Sequence, residues 1–367
     1  MKRTVFIIMA ALLLLLPVRA GDAAPETSAG AMLLIHPDSG RILAEKNAGT
    51  PLPMASTTKL MTALIAAQEL DPEAVAEIAP EWTRTEGSSM YLRPGEHYTV
   101  RQLLEGLLLA SGNDAAVALA CITAGDEAAF TVRMNEKAAQ LGLENTHFAN
   151  PHGLDAPDHR STAADLAALM AEVMKNDLLR EILSEQTCIV RGVTYENHNR
   201  LLRTCPGVCA GKTGYTSVAG RCLVSVCRRE DLELICVTLD DRDDWKDHAA
   251  LYDWAFGAYR SLLIPAGEEL CSVPVISGES EGIGAAVPAP VSLCVSKEET
   301  PEIVCGLSPF VFAPLEKGER LGELRIDIDG QTAAVSPLVS AEPCRRAYAS
   351  APVYRRTVDR IIGIYAV

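Results

Sequence analysis

The chain has 367 residues, enough for more than one domain, and 48% of them are hydrophobic against 22% charged. That balance excludes a disordered polymer. A formal net charge of −15, with no basic patch interleaved with aromatics, excludes a nucleic-acid surface.

The first twenty residues predict an export signal. Lys2 and Arg3 give a short basic start, 5–16 form an apolar run, Pro17 breaks it, and Val18-Arg19-Ala20 offers a small-x-small cleavage pattern. The run is too short to cross a bilayer comfortably. The chain is therefore read as exported, with residues 1–20 removed and the mature protein starting near Gly21.

Residues 21–261 mix strands and helices. A buried strand is predicted at 31–35, a turn at His36-Pro37-Asp38-Ser39-Gly40, and a returning strand at 41–44, on the pattern of a hairpin. Residues 56–70 read as a helix that is apolar on nearly every face (Leu60, Met61, Leu64, Ile65, Ala66). Such a helix is normally buried in mid-domain. Two further helices, 103–110 and 114–124, meet at the turn Ser111-Gly112-Asn113, and another is predicted at 166–174. Lys212 is expected to begin a strand; past it, 219–226 and 232–239 read as successive strands with a turn at 228–231, and 252–259 closes the domain as a helix.

From about Leu262 proline and glycine recur and helical periodicity fades, so 262–344 is predicted to be a small all-β domain; Leu324-Arg325-Ile326-Asp327-Ile328 before Asp329-Gly330 is a sample strand and turn. In the tail, 345–367, a helical projection puts Tyr354, Val358, Ile361, Ile362 and Tyr365 on one side and Arg355, Arg356, Asp359 and Arg360 on the other. A basic amphipathic helix on an acidic exported protein predicts attachment to an anionic membrane surface.

Eleven cysteines in an exported chain would usually announce disulfides. Here the count is odd, and Cys222, Cys227 and Cys236 lie in strand-like runs where cysteine serves as a small buried hydrophobe. Cys205-Pro206-Gly207-Val208-Cys209 is the one close pair, able to close a small loop. No paired C-x-x-C or H-E-x-x-H spacing points to a metal. His147 and His152 read as residues that shape a loop.

Three short motifs carry chemistry: Ser56-Thr57-Thr58-Lys59, Ser111-Gly112-Asn113 and Lys212-Thr213-Gly214. The first alone is expected by chance about once in a chain this long, but all three in order are far rarer than ~1%. A serine hydroxyl needs a base within hydrogen-bond reach, and i, i+3 spacing on a helix puts Ser56 and Lys59 on one face. Lysine at its ordinary pKa is protonated and useless as a base. Burial and a second cation, Lys212, would both disfavour the charge. Ser111 offers a hydroxyl to relay a proton to a leaving amine, and Asn113 an amide to hold a substrate peptide group. Lys212 and Thr213 suit recognition of a carboxylate, and Gly214 lets substrate backbone come close. The amides of Ser56 and Tyr215 are the candidate oxyanion hole.

At these residues the chain resembles the low-molecular-weight penicillin-binding proteins of the peptidase S11 family, serine-type D-alanyl-D-alanine carboxypeptidases. The likeness extends through Ser88-Ser89-Met90-Tyr91-Leu92-Arg93-Pro94-Gly95, through 141–155, and through Lys212-Thr213-Gly214-Tyr215-Thr216. It implies an α+β fold: a penicillin-binding/β-lactamase-like catalytic domain of helices and antiparallel sheet, followed by the all-β domain. It implies Ser56, Lys59 and Ser111 as catalytic residues, and Asn113, Lys212, Thr213, Gly214, Tyr215 and Thr216 as substrate-binding ones, with no cofactor. Arg242, in Asp240-Asp241-Arg242-Asp243-Asp244, would help to bind the terminal carboxylate. The implied substrate is the peptidoglycan stem peptide ending in D-Ala-D-Ala, with β-lactams as inhibitors that acylate the same serine. The rival functions are a serine β-lactamase, a D,D-endopeptidase and a non-catalytic peptidoglycan-binding scaffold. No E-x-x-L-N segment between the second and third motifs supports the lactamase, and intact Ser56, Lys59 and Lys212 argue against an inert scaffold.

Overall fold

The computed structural model describes residues 23–347. The predicted signal segment and all but the first three residues of the predicted tail lie outside that range. Of the described residues, those up to Ala258 form one unit and those from Tyr259 a second.

In the first unit the chain runs through strands β1 (Ala31–His36) and β2 (Arg41–Lys46) to a 3-10 turn at Ala55–Thr58 and helix α1 (Lys59–Glu69). A short hairpin of β3 (Val75–Glu77) and β4 (His97–Thr99) precedes α2 (Val100–Leu108), α3 (Asn113–Ala124) and α4 (Glu127–Gln140). Then come α5 (Ala163–Val173), α6 (Asp177–Ser184), a hairpin of β5 (Thr187–Val190) and β6 (Val193–Glu196), and the single turn α7 (Leu201–Thr204). The long strands β7 (Val208–Thr216), β8 (Gly220–Arg229) and β9 (Leu232–Leu239) and helix α8 (Asp244–Ala258) complete it.

The main sheet is antiparallel throughout, in the order β2-β1-β9-β8-β7. Strand alternation sends its side chains to two helical layers. Leu33, Val224, Val226, Ile235 and Val237 enter the core shared with α1 and α5. Ser225 faces the other way, where its hydroxyl meets His248 Nδ1 and the Tyr252 hydroxyl of α8 at 2.8 Å each. Helix α1 sits among α2, α3, α4, α5 and α6. From Lys59 to Ala66 every residue of it is buried, as its nearly all-round apolar sequence predicts.

Several elements differ from the sequence expectation. The 56–70 helix begins as a 3-10 turn and becomes α-helical only at Lys59. Helix α8 starts at Asp244, eight residues before the predicted 252. Its first turn carries Asp244 and Asp247, which suit the positive end of a helix but read as loop in an apolar-periodicity search. Tyr259, predicted helical, opens a strand. Lys212 does not begin its strand: β7 starts four residues earlier, at Val208.

All eleven cysteines are free thiols. Cys205 and Cys209, the pair able to close a small loop, are not bonded to each other. The Cys209 thiol points to the Val226 carbonyl at 3.7 Å, and Cys205 meets Cys227 of β8.

The second unit is all-β. β10 (Tyr259–Ile264) pairs antiparallel with β13 (Val291–Ser296). β11 (Glu269–Ile276), β12 (Gly282–Ala286), β14 (Glu302–Leu307), β15 (Val311–Phe312), β16 (Arg320–Ile328) and β17 (Gln331–Ser340) form a six-stranded sheet in the order β14-β16-β17-β12-β11-β15. Alternate residues of these strands, among them Val273, Val275, Ile283, Leu324, Ile326 and Leu338, build its core.

Candidate active site

The site grows from the 3-10 turn. Thr57 and Thr58 close it with their own hydroxyls, donating to the carbonyls of Met54 at 2.6 Å and Ala55 at 2.7 Å. Ala55 is left-handed, with φ of 46°, a conformation costly for a residue with a Cβ and characteristic of functional turns. Ser56 follows at once.

Lys59 lies one turn on and is fully buried. Its amino nitrogen is 2.8 Å from Ser56 Oγ, 2.6 Å from Asn113 Oδ1 and 2.6 Å from the His152 carbonyl oxygen. The Asn113 orientation is set by its other end, where Nδ2 donates to the Glu86 carbonyl at 2.6 Å. Two of the three neighbours of Lys59 can therefore only accept. A neutral amine must spend both N–H bonds on them, and its lone pair is left facing the Ser56 hydroxyl. Burial, followed by the charge of Lys212, holds the Lys59 pKa well below its ordinary value, against a smaller opposing pull from Asp114. Both causes are those anticipated from sequence.

The second motif is the turn between α2 and α3. Ser111 is left-handed, with φ of 58°, and its hydroxyl accepts a hydrogen bond from Lys212 Nζ at 3.0 Å. Asn113 opens α3 and donates its backbone amide to the Ser88 carbonyl at 2.7 Å. Asp114, buried beside it, accepts from Ser89 Oγ and from the amides of Met90, Leu92 and Ala115 at 2.6–3.0 Å. This carboxylate fastens the 88–92 segment to the start of α3. Gly87, with φ of 87°, lets that segment lie against the Asn113 amide: a Cβ there would stand 2.9 Å from Nδ2.

The third motif occupies the middle of β7, the terminal strand of the sheet. Lys212 is 1% exposed and donates to Ser111 Oγ and to the Thr213 carbonyl. Burial brings its pKa down to about 7. Thr213 is half-buried, Tyr215 is 69% exposed, and the Thr216 hydroxyl donates to Asp155 at 2.8 Å. Two glycines flank the nucleophile's amide. A Cβ at Gly214 would stand 3.0 Å from the Ser56 nitrogen, and one at Gly153 would stand 2.1 Å from the Ala55 oxygen and 2.9 Å from the Ser56 nitrogen.

Ser56, Lys59 and Asn113 thus form one hydrogen-bonded group and Ser111 and Lys212 a second, joined by the turn that carries both Ser111 and Asn113. Arg242 stands apart from it, exposed in the β9–α8 connection. The preceding amide, of Asp241, bonds the Arg221 carbonyl, and Arg221 pairs with Tyr215. Arg242 therefore emerges about two strand spacings, ~10 Å, from the Tyr215 end of β7.

Residues that the motifs did not flag complete the site: the carbonyls of His152 and Glu86, the carboxylate of Asp114, and Gly153. An acid next to Asn113 at a helix start, and a glycine inside Pro151-His152-Gly153-Leu154-Asp155, were the available signals. His152 and His198 remain neutral beside the lysines. Burial first, then Lys59, brings His152 down to about 3. Burial, then Lys212 and Lys59, lowers His198. Among the described residues no group of three or more His, Cys, Asp or Glu side chains is arranged to hold a metal ion.

Residues 19–243 match the peptidase S11 family, D-alanyl-D-alanine carboxypeptidase, and residues 260–345 match the C-terminal domain of penicillin-binding protein 5. The chain is 33% identical over 338 residues to the D-alanyl-D-alanine carboxypeptidase DacF of Bacillus subtilis (strain 168), spanning 86% of this chain and 85% of that one. It is also 33% identical over 337 residues to the D-alanyl-D-alanine carboxypeptidase DacA of Escherichia coli (strain K12), spanning 86% and 83%. The solved structure of penicillin binding protein 5 from Haemophilus influenzae matches with a TM-score of 0.76 at 27% identity, covering 89% of this chain and 100% of that one. The α+β architecture with an all-β second unit agrees with these matches. On them, the chain belongs to the peptidase S11 family of D-alanyl-D-alanine carboxypeptidases.

Proposed function

We propose that this chain is a serine-type carboxypeptidase that removes the terminal D-alanine from peptidoglycan stem pentapeptides, serving cell-wall biogenesis and cell shape. Ser56 Oγ attacks the carbonyl between the two D-alanines while Lys59 takes its proton, forming a tetrahedral intermediate. Amides of Ser56 and Tyr215 stabilise the oxyanion. Ser111, held by Lys212, relays the proton held on Lys59 to the departing D-alanine amine, leaving an acyl-enzyme on Ser56; Lys59, neutral again, takes a proton from the water that hydrolyses it. Asn113 holds a substrate peptide group. The edge of β7 from Thr213 to Thr216 receives the extended peptide, and Lys212, Thr213 and Arg242 attract its terminal carboxylate. Penicillin acylates Ser56 in the same way.

The observation that carries this reading is the set of partners around Lys59. Two obligate acceptors at 2.6 Å leave the amine's lone pair for Ser56.

The test incubates purified protein, and Ser56→Ala beside it, with a diacetyl-Lys-D-Ala-D-Ala peptide and with labelled penicillin. Release of D-alanine and a persistent penicillin adduct, both abolished in the variant, are expected. Rapid penicillin turnover without D-alanine release would instead make the protein a β-lactamase.

The site is placed outside the cytoplasm, where peptidoglycan lies, after export by the 1–20 segment. The 345–367 tail would hold the protein on the outer face of the cytoplasmic membrane, supported by its basic amphipathic pattern. Truncation before Arg345 is expected to release the protein from membranes, and unchanged membrane association would refute the anchor.

A further inference from the structure

The two thiols Cys205 and Cys227 converge just outside the motif-bearing part of β7. Cys205 ends the α7 turn, and its carbonyl accepts the Val208 amide at 3.2 Å, so residues 205–208 fold back on themselves. Val208 is the cross-strand neighbour of Cys227. Both sulfurs bear on the same group of atoms. Cys227 Sγ lies 3.6 Å from the Pro206 carbonyl oxygen. Arg229 Nε donates to that same oxygen at 3.0 Å, and its Nη2 lies 3.8 Å from Cys205 Sγ. Gly207, with φ of 87°, makes the approach possible: a Cβ there would stand 3.2 Å from Cys227 Sγ and 2.6 Å from the Arg228 oxygen.

We propose that Cys205 and Cys227 are a dithiol–disulfide site, oxidised by low-molecular-weight disulfides, which staples the entrance of β7 to β8.

The two thiols differ in the way such a reaction needs. Cys205 is 6% exposed and Cys227 not at all, so Cys205 is the sulfur that dissolved disulfide reaches. Donation from the Cys227 thiol lowers the Cys205 pKa, with Arg229 adding to it. The Cys227 pKa is raised by the same contact and by burial. A thiolate is the attacking species in exchange. The Cys205 thiolate attacks one sulfur of oxidised glutathione and expels one glutathione thiolate, giving a mixed disulfide. Cys227 then attacks Cys205 Sγ and expels the second glutathione, whose departing sulfur takes up the Cys227 proton. Two protein thiols are oxidised by two electrons, and one small disulfide is reduced to two thiols.

The consequence falls on the catalytic strand. Lys212 lies seven residues past Cys205, and a bridge to β8 ties down the turn through which β7 enters the sheet. The exported location proposed above would supply oxidising surroundings. The bridge itself depends on neither that location nor the carboxypeptidase reading, because its readout is thiol chemistry.

The test equilibrates the full chain in glutathione buffers from fully reduced to fully oxidised, traps free thiols by alkylation and digests with trypsin. Peptide 204–212 carries Cys205 and Cys209, and peptide 222–228 carries Cys222 and Cys227. The expected result is a cross-link between these peptides that fragmentation assigns to Cys205 and Cys227, and that persists in Cys209→Ala protein. The oxidised protein is also expected to melt higher than the reduced one by about 5 °C or more. Alkylation of both thiols at full oxidation, or a bridge through Cys209 or Cys222, would overturn the proposal.

Discussion

Lys59 Nζ lies 2.8 Å from Ser56 Oγ, and the same nitrogen is 2.6 Å from each of two carbonyl oxygens. Ser111 is linked in the same way to the other buried lysine, Lys212. One lysine must be neutral to act as a base, and the other must be charged to draw a carboxylate.

These opposite demands set a pH profile. Lys59 becomes competent as pH rises through its lowered pKa, and Lys212 loses its charge as pH rises through about 7. The kcat/KM for the D-Ala-D-Ala peptide is expected to be bell-shaped, with the alkaline limb assigned to Lys212. Lys212→Arg, which stays charged, is expected to remove the alkaline limb and leave the acid limb in place. Kinetics between about pH 4 and about pH 10 check this, since that range brackets the Lys212 limb at about 7. An alkaline limb unchanged by the substitution would contradict the assignment.

Lys212 also leaves a signature in stability. Its folded pKa of about 7 lies below the unfolded value of 10.5, so between those values the unfolded chain binds the extra proton. Stability contributed through this group therefore rises with pH across that window and is fully withheld below about 7. Lys212→Met is expected to abolish D-alanine release by ~100-fold or more, and to flatten this part of the pH dependence of the melting temperature. Parallel thermal melts of the two proteins at about pH 7 and about pH 9 read the difference.

Asn113→Asp keeps the shape of the side chain but puts a carboxylate 2.6 Å from Lys59. An adjacent negative charge favours the charged lysine. Penicillin acylation at neutral pH is expected to fall by more than ~10-fold and to recover partly in alkali, since one pH unit of displaced acid limb is a tenfold loss of base. Stopped-flow acylation across pH separates this from a simple loss of folding, which would not recover.

The two glycines beside Ser56 are expected to differ. At Gly153 a Cβ meets the Ala55 carbonyl at 2.1 Å on a backbone with φ of 92°, and alanine is expected to cost ~3 kcal/mol or more of stability. At Gly214 the nearest atoms are 3.0 Å away, and alanine is expected to cost about 1 kcal/mol. Urea titrations rank the pair, and equal costs would contradict the packing described around the nucleophile.

Much of the site was legible because its chemistry uses rare residue types at short spacing: Ser56 with Lys59, Ser111 with Asn113, Lys212 with Thr213. What brings the three together was not. Backbone carbonyls of Glu86 and His152 have no sequence signature, and Asp114 declares its role only once the 88–92 segment is seen folded onto it. The all-round burial of α1 followed from its composition, whereas the start of α8 was hidden because Asp244 and Asp247, in its first turn, look like loop. In the sequence Cys209 is the one close neighbour of Cys205. The antiparallel return of β8 brings Cys227 into contact with Cys205, a long-range contact that local spacing does not reveal.

The most direct test of the acyl-transfer chemistry is mass spectrometry of the protein after brief exposure to penicillin, followed by peptide mapping. The expected result is one penicilloyl adduct on Ser56, absent from Ser56→Ala, and formed more slowly by ~100-fold or more in Lys59→Met, as loss of a general base requires. An adduct on any other residue, or undiminished labelling of Ser56→Ala, would contradict it.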